Sequence, residues 1–142
     1  MKRMNKWLIV ILLIVGIQVA SCAPKPVASE KIAASKTEEI EGSEFKRLIL
    51  TEKAVERLDI QTAPVSVDGD QKLIPYAAVL YGLDGETWAY TNPEPLVYIR
   101  QNIVIDHIDG DLVVLTEGPD VDTPIVTVGV SLLYGAETGV SK

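Results

Sequence analysis

Cysteine is almost missing from this chain: its 142 residues hold one, Cys22, so no disulfide within the chain can form. Histidine is as scarce. His107 stands alone, and no serine sits in a G-x-S-x-G context, so a Ser-His-Asp arrangement has one available base and no nucleophile elbow. Both methionines, Met1 and Met4, lie at the extreme N-terminus, leaving the rest without a thioether for a soft metal. Positive charge is also short, with 13 Lys and Arg against 20 Asp and Glu. Without Lys2, Arg3 and Lys6, the balance from Cys22 onward is 10 against 20. Nucleic acid and anionic membrane surfaces repel such a module.

What the N-terminus does have is an ordered export pattern. Lys2, Arg3 and Lys6 precede an apolar run over residues 7–17, and small Ala20 and Ser21 follow, in the order of a signal peptide. The run is short for a membrane span. Val19-Ala20-Ser21-Cys22 resembles the lipobox read by prolipoprotein diacylglyceryl transferase and lipoprotein signal peptidase. The resemblance implies that residues 1–21 are a lipoprotein signal peptide and that Cys22 is the lipid attachment residue and mature N-terminus. An uncleaved apolar helix over residues 7–19 is the competing reading. A thioether to lipid explains a lone cysteine in an oxidising compartment, and two or three acyl chains such as palmitate, at about 0.8 kcal/mol per buried methylene, make release negligible. The expected place is the cell envelope, on the outer face of the cytoplasmic membrane or in the periplasm at the outer membrane. The membrane is then a partner through the N-terminal lipid.

Residues 22–45 are rich in Ala, Glu, Lys, Ser and Pro with almost no large apolar side chains, the composition of a disordered, lipidated flexible linker. As a flexible coil it reaches on the order of 25 Å. Residues 46–142 form one small domain. Here Phe and Trp are few, aliphatics many and β-branched residues frequent, which favours strands. Residues 47–50 read as a strand. Thr51 caps a short helix over residues 52–58, with Glu52 at its start and Arg57 near its end to match the dipole. Residues 60–65 are extended. Strand signals recur over residues 73–81, 87–91, 96–106, 112–116 and 124–128, and Asp68-Gly69, Asp84-Gly85, Asn92-Pro93 and Asp109-Gly110 read as turns. The expected fold is mainly β: a small β-barrel or β-roll of about six to seven strands with the one short helix plugging an end.

The search for chemistry is brief. Asp106, Asp109 and Asp111 crowd together but lack the alternate spacing and downstream Glu of a calcium loop, so they read as turn residues and no metal or other cofactor is expected. His107 reads as a strand-end residue. Trp88 and Tyr90 share one strand face, with Tyr76 and Tyr98 in flanking strands. This aromatic set is either core or an outward ligand or partner surface, core being the ordinary place for rings of this size. No enzyme is expected.

Two stretches of the domain resemble pieces of the periplasmic adaptors, or HlyD-like membrane fusion proteins, of resistance-nodulation-division (RND) efflux pumps. Residues 48–65 look like the adaptor opening, ending in an "I-x-T-A-P-V" strand. Residues 74–137 look like its C-terminal segment, with Ile74-Pro75-Tyr76-Ala77-Ala78-Val79 and the closing Ile125-Val126-Thr127-Val128-Gly129 followed by an acidic tail. The resemblance implies a membrane-proximal domain whose lipoyl, α-hairpin and central barrel insertions are replaced by a short link. Such a chain cannot reach an outer-membrane channel by itself. Where adaptors show "G-L-x-x-G-D-x-V-V", residues 118–126 lack the second glycine. The expected function is an accessory lipoprotein docking an RND-type transporter or a full-length adaptor. The alternative is a small lipoprotein that binds hydrophobic ligands near Trp88 and Tyr90.

Overall fold

The structure, a computed structural model, describes residues 34–139. The export segment, Cys22 and the first part of the expected linker lie outside the described residues. The fold is mainly β, as expected, but it is no closed barrel. Among the described residues eleven strands form two antiparallel sheets, with two α-helices and one 3₁₀ turn.

The larger sheet contains β1 (Ser35–Glu39), β2 (Lys46–Leu50), β3 (Gln61–Pro64), β6 (Leu80–Tyr81), β7 (Thr87–Glu94), β8 (Val97–Asn102) and β11 (Pro124–Val128). Its order is β1-β2-β8-β7-β11-β3, with β6 beside β7. The smaller sheet holds β4 (Ser66–Asp68), β5 (Gln71–Pro75), β9 (Val104–Asp109) and β10 (Leu112–Glu117), in the order β4-β5-β10-β9.

The alternation of side chains along each strand sends apolar residues to both faces of the larger sheet. Leu48, Leu50, Tyr90, Tyr98 and Val126 face helices α1 (Glu52–Leu58) and α2 (Val130–Thr138), which contribute Ala54, Val130 and Leu133. Ala89 and Ile125, one residue out of phase with Tyr90 and Val126, face the smaller sheet, meeting Val65, Ile74, Val113 and Leu115. The result is three layers around two cores, helices on sheet on sheet.

Thr51 caps α1 as expected, its Oγ1 accepting from the Ala54 amide at 3.2 Å. The helix covers a sheet face rather than plugging a barrel. Further expectations are corrected. Residues 35–39, read as part of the linker, are the edge strand β1, paired with β2. Its Ser-Lys-Thr-Glu-Glu sequence brings little to bury, but its backbone completes the ladder of an apolar neighbour. Asn92-Pro93 lies inside β7, not in a turn. The register shifts there, so Pro93 owes the ladder no amide, and the Asn92 side chain donates to the Glu94 and Val97 carbonyls at 2.8 Å each; the turn falls at Pro95-Leu96, with Leu96 at φ 67.

The acidic tail is the second helix, α2. Gly129 opens it at φ 90, and a Cβ there would meet Ile60 Cδ1 at 2.3 Å. Its Val130, Leu133 and Glu137 are buried in a helical stripe.

The count of strands exceeds six to seven because β1 and the short β4 add two, and two apparently continuous strands change sheets and add two more. Residues 73–81 break at the 3₁₀ turn Tyr76–Ala78, between β5 and β6. Residues 96–106 break at the buried corner Ile103, between β8 and β9.

Candidate functional site

Of the four aromatic residues proposed as an outward surface, three are interior. Tyr90, Tyr98 and Trp88 are buried, and only Tyr76 reaches solvent. The structure therefore brings no Tyr76–Trp88–Tyr90–Tyr98 platform to the surface. A ligand placed on Trp88 and Tyr90 would have to enter the core.

Around Trp88 and Tyr90 lies a polar cluster that sequence reasoning missed. Tyr90 on β7 is paired with Arg100 on β8, so both side chains leave the sheet on the helix side. The Tyr90 hydroxyl donates to Glu137 Oε2, and Arg100 Nη2 donates to Glu137 Oε1 at 3.2 Å. The ion pair is shielded, its side chains 14% and 4% exposed. Burial first, then the Glu137 carboxylate, push the Tyr90 hydroxyl far above the usual phenol range.

Arg100 also lies against three rings: Trp88 at 4.6 Å, Phe45 at 4.9 Å and Tyr134 at 5.4 Å from the centroids. Trp88 Nε1 and Arg100 Nε are buried without a hydrogen-bond partner. Both Glu137 oxygens are engaged, one by the Tyr90 hydroxyl and one by Arg100. This cluster clamps α2 to the sheet.

A faint signal for it exists in the sequence. Arg100 is the only Lys or Arg between Lys72 and Lys142, and it shares a strand face with Tyr98. An arginine on an apolar face needs a buried anion, and Glu137 falls seven residues after Val130 on the apolar stripe of α2.

The remaining sequence candidates sit at the surface. His107 Nδ1 lies 2.7 Å from Asp106 Oδ2, with both side chains about half exposed. Asp106, Asp109 and Asp111 are exposed around the Gly110 turn, and no group of three or more metal-ligating side chains occurs among the described residues. No helix among the described residues is long and apolar enough to cross a membrane.

The surface feature with an interior shape is an open groove of about 530 Å³ between the β6–β7 turn and the start of β9. Tyr81, Thr87, Ile103, Val104, Ile105 and Ile108 supply most of its wall. Tyr76 extends this apolar region: its ring lies 6.4 Å from that of Tyr81 at 52°. The Tyr81 hydroxyl is held above the usual phenol range, by desolvation first and by Tyr76 second.

Chain comparison gives no family. The chain matches no family model, no curated protein and no solved structure. Geometry and chemistry therefore carry the functional reading: a buried clamp and an open groove of mixed polar and apolar lining.

Proposed function

We propose that the protein is a non-enzymatic envelope lipoprotein, anchored through Cys22, whose β domain docks a transporter of the RND type or a full-length adaptor. What supports the reading above all is that the two adaptor-like stretches interleave. In the first stretch, β2 pairs with β8 and β3 pairs with β11, both from the second stretch. Two segments whose strands pair with each other across a short link are what a membrane-proximal domain without its insertions requires.

The closing turn adds a local argument. Asp122, at the place of the adaptor pattern's second glycine, adopts φ 67, the conformation that a glycine takes most readily. Its amide donates to the Val65 carbonyl at 2.9 Å, tying the end of the first stretch to the start of the last strand.

The test is in-cell cross-linking of the tagged, lipidated protein, with mass spectrometry of the captured chains. An RND-type permease or adaptor dominating the captured set is the expected result. Capture of abundant envelope proteins alone overturns the docking reading.

A further inference from the structure

Five strands of the two sheets have a single paired neighbour, and four of them are poor templates for another chain. β1 is entirely polar, β3 ends in Pro64, β4 is three residues long and β6 only two. The fifth, β9, is different. It is six residues long, contains neither Lys nor Pro, and pairs only with β10 among the described residues.

A bulge shapes its inner face. His107 is opposite Val114 and Ile105 is opposite Leu115, so Asp106 is the extra residue between them. Ile105 and Ile108, three residues apart, consequently both take the face of their partners Leu115 and Val113, toward the second core. Both also line the groove. Ile108 is 50% exposed, Val104 46% and Tyr81 52%, and Leu83 at the nearby turn is fully exposed. β9, paired on one side only, therefore borders a trough of mixed lining in which Ile105, Ile108, Val104 and Tyr81 are the apolar part.

Charge identifies what fits there. Glu86 lines the groove, and Asp84, Asp106, Asp109 and Asp111 are exposed on the adjoining turns and on β9 itself. No Lys or Arg lines it, and His107 faces Asp106. A second copy of β9 laid antiparallel over its full length sets Asp106 opposite His107, but it crowds four carboxylates, Asp106 and Asp109 of each copy, into one six-residue ladder beside two acidic rims, which opposes self-pairing. A strand with aliphatic side chains on one face and Lys or Arg on the other satisfies edge, trough and rim together.

We infer that β9 is a strand-addition site for an extended segment of a partner protein, one alternating aliphatic and basic residues. The inference rests on the docking reading above and names its contact surface.

The probe is a synthetic ten-residue peptide alternating Val and Lys, with an alternating Val and Glu peptide as control, added to the full-length protein in detergent. Amide hydrogen exchange maps where it binds. The Val-Lys peptide is expected to protect amides over residues 104–109, and paired Asp106→Asn and Asp109→Asn changes are expected to weaken its binding at least tenfold. Paired Asp68→Asn and Asp70→Asn changes beside β4 are expected to leave it unaltered. Equal binding of the Val-Glu peptide, protection at another strand instead, or dimerisation of the protein through β9 overturns the inference. Cross-linking separates the two ideas. A captured transporter linked away from residues 104–109 sinks the β9 site and leaves docking intact, whereas peptide protection of β9 with no transporter captured supports the site and sinks the transporter.

Discussion

Tyr90 and Glu137, 47 positions apart in the chain, meet in the interior, where the phenol of a central strand donates to a carboxylate on the last helix. That carboxylate sits near the helix C-terminus, the end where the helix dipole disfavours an anion. Arg100 offsets this by pairing with its other oxygen.

Breaking that pair on one side leaves a shielded charge without its partner. Glu137→Leu is expected to lower the unfolding free energy by about 3–5 kcal/mol, whereas Glu137→Leu combined with Arg100→Met recovers most of the loss. Urea titrations of the two variants decide this; a double variant as unstable as the single one contradicts it.

The elevated Tyr90 and Tyr98 hydroxyls make stability fall in alkali. Burial raises both in the folded state, so their contribution is complete below the unfolded phenol value near 10 and is lost as pH climbs toward the folded values. Above pH 10 a tyrosine kept protonated in the folded state lowers the unfolding free energy by at most about 1.4 kcal/mol per pH unit, and Tyr90, whose shift is the larger, contributes the greater part. Tyr90→Phe is expected to remove one tyrosine's share of that slope, measured by urea unfolding between pH 9 and 11.

Two positive-φ positions respond in opposite directions. Gly129→Ala adds a Cβ against Ile60 at φ 90 and is expected to cost about 2 kcal/mol. Asp122→Gly relieves a left-handed non-glycine residue and is expected to gain about 0.5 kcal/mol. Thermal midpoints shift by roughly 4–8 °C per kcal/mol in a domain of this size, so both changes are measurable.

The lipoprotein proposal has its own direct check. Intact mass of the membrane-extracted protein is expected to show a mature chain starting at acylated Cys22, and Cys22→Ala is expected to abolish the acyl mass. A membrane-bound chain still starting at Met1 points to the uncleaved helix instead.

Much of the fold was legible because local signals and tertiary needs agree. Thr51 and the residues of α1 carry their own cap and charge pattern, and Asp68-Gly69, Asp84-Gly85 and Asp109-Gly110 turn wherever they stand. The misreadings share a cause: the deciding partner is remote. Nothing within residues 35–39 announces β2 as a neighbour, and Pro93 reads as a breaker until the register shift in β7 exempts it from the ladder. The sheet change at Ile103 depends on two cores competing for one apolar run. The Tyr90–Arg100–Glu137 cluster was hidden for the same reason, since its members come from three elements and only Arg100 looks misplaced in its own strand.

The strand order bears on how the molecule is made. β2 and β3 emerge early, yet their partners β8 and β11 lie tens of residues downstream, and the helix that seals the first core is the last element of all. Pairings of such long sequence separation close slowly. Under the proposed export, in which the chain crosses a membrane as an extended thread, the delay is useful: the β1–β2 hairpin and β3 gain their remaining sheet neighbours only when β8 and β11 arrive, so the polypeptide stays threadable through transit and folds after it.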